Sequence, residues 1–324
     1  MTKYTGSRRE IAFTKETIRL TAVAHSAGDW LANTGFGFKP AVNKAEDRSA
    51  KGLITTLRQK HKVQQYAEGD ANFNATIKNI GTFFCMLFGA VPSSSGASDV
   101  YTHSYTLDND NNSHLTYTTH TIIPNQGVEK YAGTMLDEME MTVVPDDYIK
   151  VKLGLKALAA VAGTGSSSYN TLANDPIIVP YNATIKLASD YSGLGAADAV
   201  AFASLKLNFK KNVDFDWKIG DDDPGDLWNG NFDAEGEIKI VHDEAIAETL
   251  RGYSIGDTTQ ALQIVVSDGT YGFTLEFPTV LFENYDPETA LDAAGVLTLK
   301  FEATDADATN GIVKGEVINN VASY

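Results

Sequence analysis

Gly252-Tyr253-Ser254-Ile255-Gly256 matches the G-x-S-x-G nucleophile elbow letter for letter. The elbow needs its serine between a strand and a following helix, with the histidine later in the chain. Here a helix-like run precedes Ser254, a strand follows it, and the last histidine, His242, comes before it. The motif reads as a helix-ending turn. Asp108-Asn109-Asp110-Asn111-Asn112 resembles the start of a calcium loop, but Ser113 and Thr119 stand where such a loop needs glycine and glutamate. It reads as a polar hairpin turn. His103, His114 and His120 flank it and are expected on exposed faces of threonine-rich strands. Asp221-Asp222-Asp223-Pro224-Gly225-Asp226 reads as a solvated acidic turn. Gly163-Thr164-Gly165 lacks the Gly-Lys-Ser/Thr of a phosphate loop. Cys85 has no second cysteine to pair with and sits among Phe83, Phe84, Met86 and Leu87, which predicts a buried, inert thiol. No catalytic residue, cofactor-binding residue or metal ligand is assigned, and the chain is expected not to be an enzyme.

The elements around these motifs are mostly strands. Met139, Met141 and Val143 alternate with Glu138, Glu140 and Thr142, and Ile149, Val151, Leu153 and Leu155 with Lys150, Lys152 and Lys156. Pro145-Asp146-Asp147 joins the two runs into a hairpin that sets Glu138 and Glu140 roughly opposite Lys150 and Lys152. Strands are also predicted at Leu205–Phe209, Val213–Ile219 and Leu297–Phe301. A hairpin is expected from Leu262–Val266 to Tyr271–Phe277, with Asp268-Gly269 at its turn. Helices are few. One carries Phe83, Phe84, Leu87 and Phe88 and stops at Gly89; a second starts at an Asp243 cap and carries Ile246, Leu250 and Tyr253. Ser93–Ser98 and the basic segment 37–62 read as loops.

At 324 residues the chain has room for two domains. The Gly/Ser run after Ala162 reads as a linker, so residues 1–162 and 176–324 are taken as two β modules, with 163–175 between them. Phe73-Asn74-Ala75 leading to Leu87-Phe88-Gly89 is echoed by Phe232-Asp233-Ala234 leading to Leu250-Arg251-Gly252. The first half is nearly neutral, with 17 Lys and Arg against 16 Asp and Glu, while the second carries 9 against 26. A chain of net charge −16 does not hold DNA by counterion release, which needs clustered cations. It can lie beside DNA as a surface that repels and so permits sliding. Segment 37–62 holds seven cations against Glu46 and Asp47, opposite in sign to 214–248, and is expected to dock on that acidic region of a neighbouring subunit. No apolar run is long enough to span a bilayer, and residues 1–16 lack the apolar core of a signal peptide.

Tyr66-Ala67-Glu68-Gly69-Asp70 through Phe83–Ala90, Tyr101–Tyr105 with Leu115–Thr118, Lys130–Met139 and Phe232–Ile238 together resemble the tail tube proteins of long-tailed, siphophage-like bacteriophages, in the larger two-module form. The resemblance implies a mainly β fold, in which β-sandwich or β-barrel modules each carry a short flanking helix. Rings of six modules would stack into a hollow tube through which DNA passes without specific binding. Two modules per chain then imply a trimer with pseudo-sixfold symmetry, or a hexamer if the second half is a decoration. The other implied partners are the tape measure, tail tip and terminator proteins. The implied location is the virion tail, after synthesis in the host cytoplasm. Rival readings are an immunoglobulin-like surface adhesin, a carbohydrate-active enzyme, and another virion component such as a terminator or decoration protein.

Overall fold

The computed structural model describes residues 8–50, 52, 54, 59–97, 99–109, 111–124, 127–163, 176–241, 244–256, 258–288, 296–305 and 310–324. Among these residues the fold is mainly β with two α-helices. The first half runs β1 (Glu10–Lys15), β2 (Trp30–Leu31), β3 (Gly35–Phe36), β4 (Lys39–Asp47), β5 (Gln59–Asn74), α1 (Asn79–Phe88), β6 (Ser93–Ala97), β7 (Val100–Thr106), β8 (Tyr117–Ile123), β9 (Gly127–Val143), β10 (Lys150–Ala157) and β11 (Ala160–Gly163). The second half runs β12 (Ala183–Ala188), β13 (Ala199–Val200), β14 (Ser204–Lys210), β15 (Asp214–Asp216), β16 (Asp226–Trp228), β17 (Asp233–Val241), α2 (Glu244–Ile255), β18 (Gln260–Ser267), β19 (Gly272–Glu288), β20 (Val296–Ala303) and β21 (Lys314–Asn319).

Antiparallel pairing follows one order in both halves. The first pairs β5–β10–β9–β8–β1, and the second pairs β17–β20–β19–β18–β12. A helix follows the leading strand each time. β9 and β19 are both 17 residues long, and each hands over from one partner to another along its length. A bulge falls at the first residues of β8, between Tyr117 and Thr119, and at the first residues of β18, between Gln260 and Leu262. Such bulges bend a strand so that it can serve two layers. Isolated backbone bonds recur as well. Thr34 N donates to Asn72 O at 2.8 Å and Ala203 N to Lys239 O at 2.6 Å; Leu158 N donates to Ala132 O at 3.1 Å and Thr304 N to Thr279 O at 2.9 Å.

β14 pairs with the open side of β9, so the halves share one sheet in the order β4–β5–β10–β9–β14–β17–β20–β19. β21 pairs with β7 and joins them a second time. One face of the shared sheet is apolar and buried, with Phe73, Leu153, Met139, Leu207, Ile238 and Leu299 each 1% exposed or less. Fully burying an aliphatic side chain stabilises by about 1.5–3 kcal/mol, which is why a one-residue slip of any strand is disfavoured.

α1 packs into this core with all its residues buried except Thr82. Its start is closed reciprocally: Thr76 N donates to Asn79 Oδ1 at 2.8 Å and Asn79 N to Thr76 Oγ1 at 3.2 Å. It ends at Gly89, whose φ of 75° is left-handed. A Cβ at Gly89 would lie 2.2 Å from the His114 ring. Gly89→Ala is therefore expected to cost about 1–2 kcal/mol for the backbone alone, with the clash in addition. A lower urea midpoint at unchanged slope checks this; an unchanged midpoint would refute it.

Three expectations are corrected. Segment 37–62 is not a loop: its described residues enter β4 and the start of β5, a hairpin. Ser93–Ala97 is strand β6 on β7, with Gly96 at φ 144° where a Cβ would meet Val100 O at 2.3 Å. The run Val213–Ile219 is only the three-residue β15, paired with β16 in a separate ribbon, and Ile219 is fully exposed. The 138–156 hairpin forms as expected and Glu140 faces Lys152, but Glu138 faces Gly154. The expected linker lies almost wholly outside the described residues, as do Asp243 and His242.

Candidate functional site

The feature most suited to function is the polar face of the shared sheet, with its two unpaired ends. Because side chains alternate across a strand, the residues between the core positions point away from it. Their charges alternate by strand. β5 and β9 present acids (Asp70, Glu140), β10 and β14 present lysines (Lys152, Lys206, Lys210), and β17 presents Glu235 and Glu237. Lys152 reaches Asp70 at 3.1 Å, Lys206 reaches Glu140 at 3.1 Å and Lys210 reaches Glu235 at 2.7 Å. The Asp70 carboxylate raises the Lys152 ammonium, and Glu235 does the same for Lys210, which in turn holds Glu235 low. These are half-exposed pairs, worth at most about 1 kcal/mol each. Their effect is to balance the charge of the face and hold neighbouring strands in register. A concavity of about 320 Å³ opens on this face beside Lys206, Glu235, Glu283 and Lys300.

Both ends of the sheet are open among the described residues. β3 and β4 pair only with β5, and β19 beyond Val280 pairs only with β20. Each end carries a proline, Pro40 or Pro287. Proline cannot donate to a ladder and is confined to edges. These two prolines are the sequence signal for the edges.

β5 runs past β10 at Ala67, so residues 59–66 with 41–47 project as a two-stranded arm exposed along most of its length. Its base is fixed within the chain. Lys62 forms an ion pair with Asp222, Gln65 N donates to Asp222 O at 2.8 Å, and the Tyr66 ring lies 5.0 Å from Phe215 and 5.9 Å from Trp217. At Lys62 the contact expected with a neighbour's acidic region is thus made inside one chain. Further out, Glu46 accepts from Lys60 at 2.6 Å and Arg48 at 2.7 Å; those bonds hold its carboxyl down to about 2.

The motifs considered for chemistry stay apart. Ser254 lies in the last turn of α2. The three histidines are buried rather than exposed, each with its own partner: His103 with Ser94 Oγ at 2.7 Å, His114 with Asp108 O at 2.8 Å, His120 with Val23 O at 3.1 Å. Burial pushes His114 and His120 down to about 4. The carboxylates of Asp221, Asp222 and Asp223 converge within 4.8 Å, but Asp222 is already countered by Lys62. Cys85 is buried, and burial raises its thiol to about 11. No helix among the described residues is long and apolar enough to cross a membrane.

Comparison with curated proteins returns no match. A family model described as phage tail tube protein matches residues 6–313, spanning both halves and nearly the whole chain. The mainly β architecture agrees with it, and this chain belongs to the phage tail tube protein family, a structural component of the virion tail.

Proposed function

We propose that three copies close into a ring of pseudo-sixfold symmetry, that rings stack into the tail tube, and that DNA passes through the lumen along the polar sheet face. The observation that carries this reading is the repeated pairing order, β5–β10–β9 in one half and β17–β20–β19 in the other, joined through β14. It supports treating 1–162 and 176–324 as two copies of one module. Eight strands per chain form a sheet with two open ends, and closure into a barrel removes open edges. The polar face suits a lumen because its lysines are matched by carboxylates, leaving no excess cation to displace counterions from DNA. The projecting arm suits contact with the next ring, since an isolated two-stranded hairpin is marginal in water. The tape measure, tail tip and terminator proteins are the other partners in this reading.

Negative-stain electron microscopy of concentrated protein, with native mass spectrometry, tests the proposal. Hollow tubes with six-lobed end views and rings of three chains are expected. Rings of six chains would overturn the duplicated-module reading. Dispersed monomers, even with a tail tip added as nucleus, would overturn the tube reading.

A further inference from the structure

The ring reading leaves open how one copy meets the next, and the internal β9–β14 joint supplies a template. We infer that ring closure is an antiparallel pairing of the β19 edge with the Phe36–Val42 edge of the next copy, in a register that sets Lys39 opposite Asp286.

The register follows from the two repeats. β10 and β20 are both eight residues long; their first residues, Lys150 and Val296, pair with Thr142 and Glu288. Thr142 therefore corresponds to Glu288, and Glu140 to Asp286. On the other side, the matching bonds Thr34 N to Asn72 O and Ala203 N to Lys239 O align Ala203 with Thr34. Leu205 and Leu207, at 1% and 0% exposed, then correspond to Phe36 and Phe38, at 5% and 2%. Asn208 corresponds to Lys39 and Lys211 to Val42. Since Asn208 pairs with Glu140 inside the chain, Lys39 is placed opposite Asp286 between chains.

The direction of the backbone donors agrees. Lys211 N donates to Asp137 O at 2.7 Å, so alternate residues of β14 back from Lys211 turn their N–H groups toward β9. The equivalents are Phe36, Phe38, Pro40 and Val42. Independently, Gly37 N donates to Asp70 O at 2.7 Å within its own sheet. That turns the N–H groups of Phe36, Phe38 and Val42 outward, to the open edge. Pro40 falls at an outward position, where its missing N–H costs its own sheet nothing. In the inferred register Pro40 faces Tyr285 and Pro287 faces Phe38, so the two prolines are staggered. Each proline removes one donor from the interchain ladder in this register, and the N–H groups of Phe38 and Tyr285 supply the remaining bond of each pair.

This inference rests on the ring reading, and the test separates the two. Lys39 and Asp286 would form a non-hydrogen-bonded pair with Cα atoms about 4.5 Å apart, within disulfide reach. Lys39→Cys with Asp286→Cys, oxidised in assembled tubes, is expected to give covalent trimers on a non-reducing gel. Lys39→Cys with Tyr285→Cys should not cross-link, because a one-residue slip moves the side chain to the other face. Buried Cys85 gives little background. Tubes that form normally without the Lys39–Asp286 cross-link, or with the Tyr285 one, would overturn the register while leaving the ring intact. Failure of the unmodified chain to form rings would overturn both. If the cysteine variants do not assemble, Lys39→Glu should block tube formation and Lys39→Glu with Asp286→Lys should restore it; no restoration would overturn the inference.

Discussion

Glu16→Leu is expected to destabilise the fold by about 3–5 kcal/mol, because it orphans several buried hydrogen-bond donors. Glu16 is 7% exposed. Its Oε1 accepts from Thr118 Oγ1 at 2.9 Å and Gly133 N at 2.8 Å; its Oε2 accepts from Thr116 Oγ1 at 2.6 Å and Leu20 N at 2.8 Å. Leucine would leave four donors facing an apolar group, and each buried orphan costs about 1–3 kcal/mol. Folded domains are stable by only about 5–15 kcal/mol, so this one carboxylate decides whether the chain folds well. The same segment carries Arg19, which reaches Asp226 at 2.8 Å and also donates to Leu227 O. It therefore straps β8 and β9 to the second half. Glu16→Gln keeps one acceptor oxygen and should cost less than half as much. Urea unfolding below the assembly concentration measures both; a loss under 1 kcal/mol for leucine would sink the argument.

Most of the strand structure was legible because burial on one face writes an alternating pattern. β9, β10, β14, β18 and β20 all carry it, and all formed where expected. The arm was not legible because neither of its faces is buried, so β4 shows no alternation and its Lys, Glu and Asn residues look like a loop. The burial of His103, His114 and His120 is hidden in the sequence for a related reason. A sequence shows a polar side chain between threonines, but not the carbonyl or hydroxyl that lets it be buried. The short β15 reverses the case: Phe215, Trp217 and Ile219 alternate, yet only Phe215 and Trp217 meet Tyr66, and Ile219 meets solvent.

The repeat was faintly legible in the Phe73 and Phe232 motifs, while the shared pairing order was not, because it is a statement about contacts far apart in sequence. β14 sits beside β9 across more than 60 intervening residues, and nothing in Leu205–Phe209 names its partner. The candidate site is a product of that topology. Its lysines and carboxylates are visible in the sequence as alternating charges, and Lys152 pairs with Glu140 as the hairpin predicts. That these columns lie side by side on one face depends on the β9–β14 joint. The open edges leave only Pro40 and Pro287 as their trace.

Lys211 makes the stability of the fold depend on pH in a direction that can be worked out. It is 1% exposed, and its Nζ donates to Met86 O at 2.8 Å near the end of α1. Burial, aided by the nearby Arg19 charge and opposed by Asp108, pushes its ammonium down to about 7 from 10.5. Between these values the unfolded chain binds a proton that the folded chain does not, so stability rises with pH. The slope is about 1.4 kcal/mol per pH unit where the difference is complete. Below about pH 7 both states bind the proton and the contribution is flat. Cys85 acts oppositely, since its raised thiol makes stability fall from about pH 9 to 11. His114 and His120, held near 4, act below about pH 6.5. The window from pH 7 to 9 therefore isolates the lysine. Over it the unmodified chain is expected to gain about 2 kcal/mol relative to Lys211→Met, and the methionine variant should be the more stable of the two at pH 6. Urea midpoints at pH 6, 7, 8 and 9 give the comparison, and parallel curves for the two proteins would show that the buried ammonium is not the titrating group.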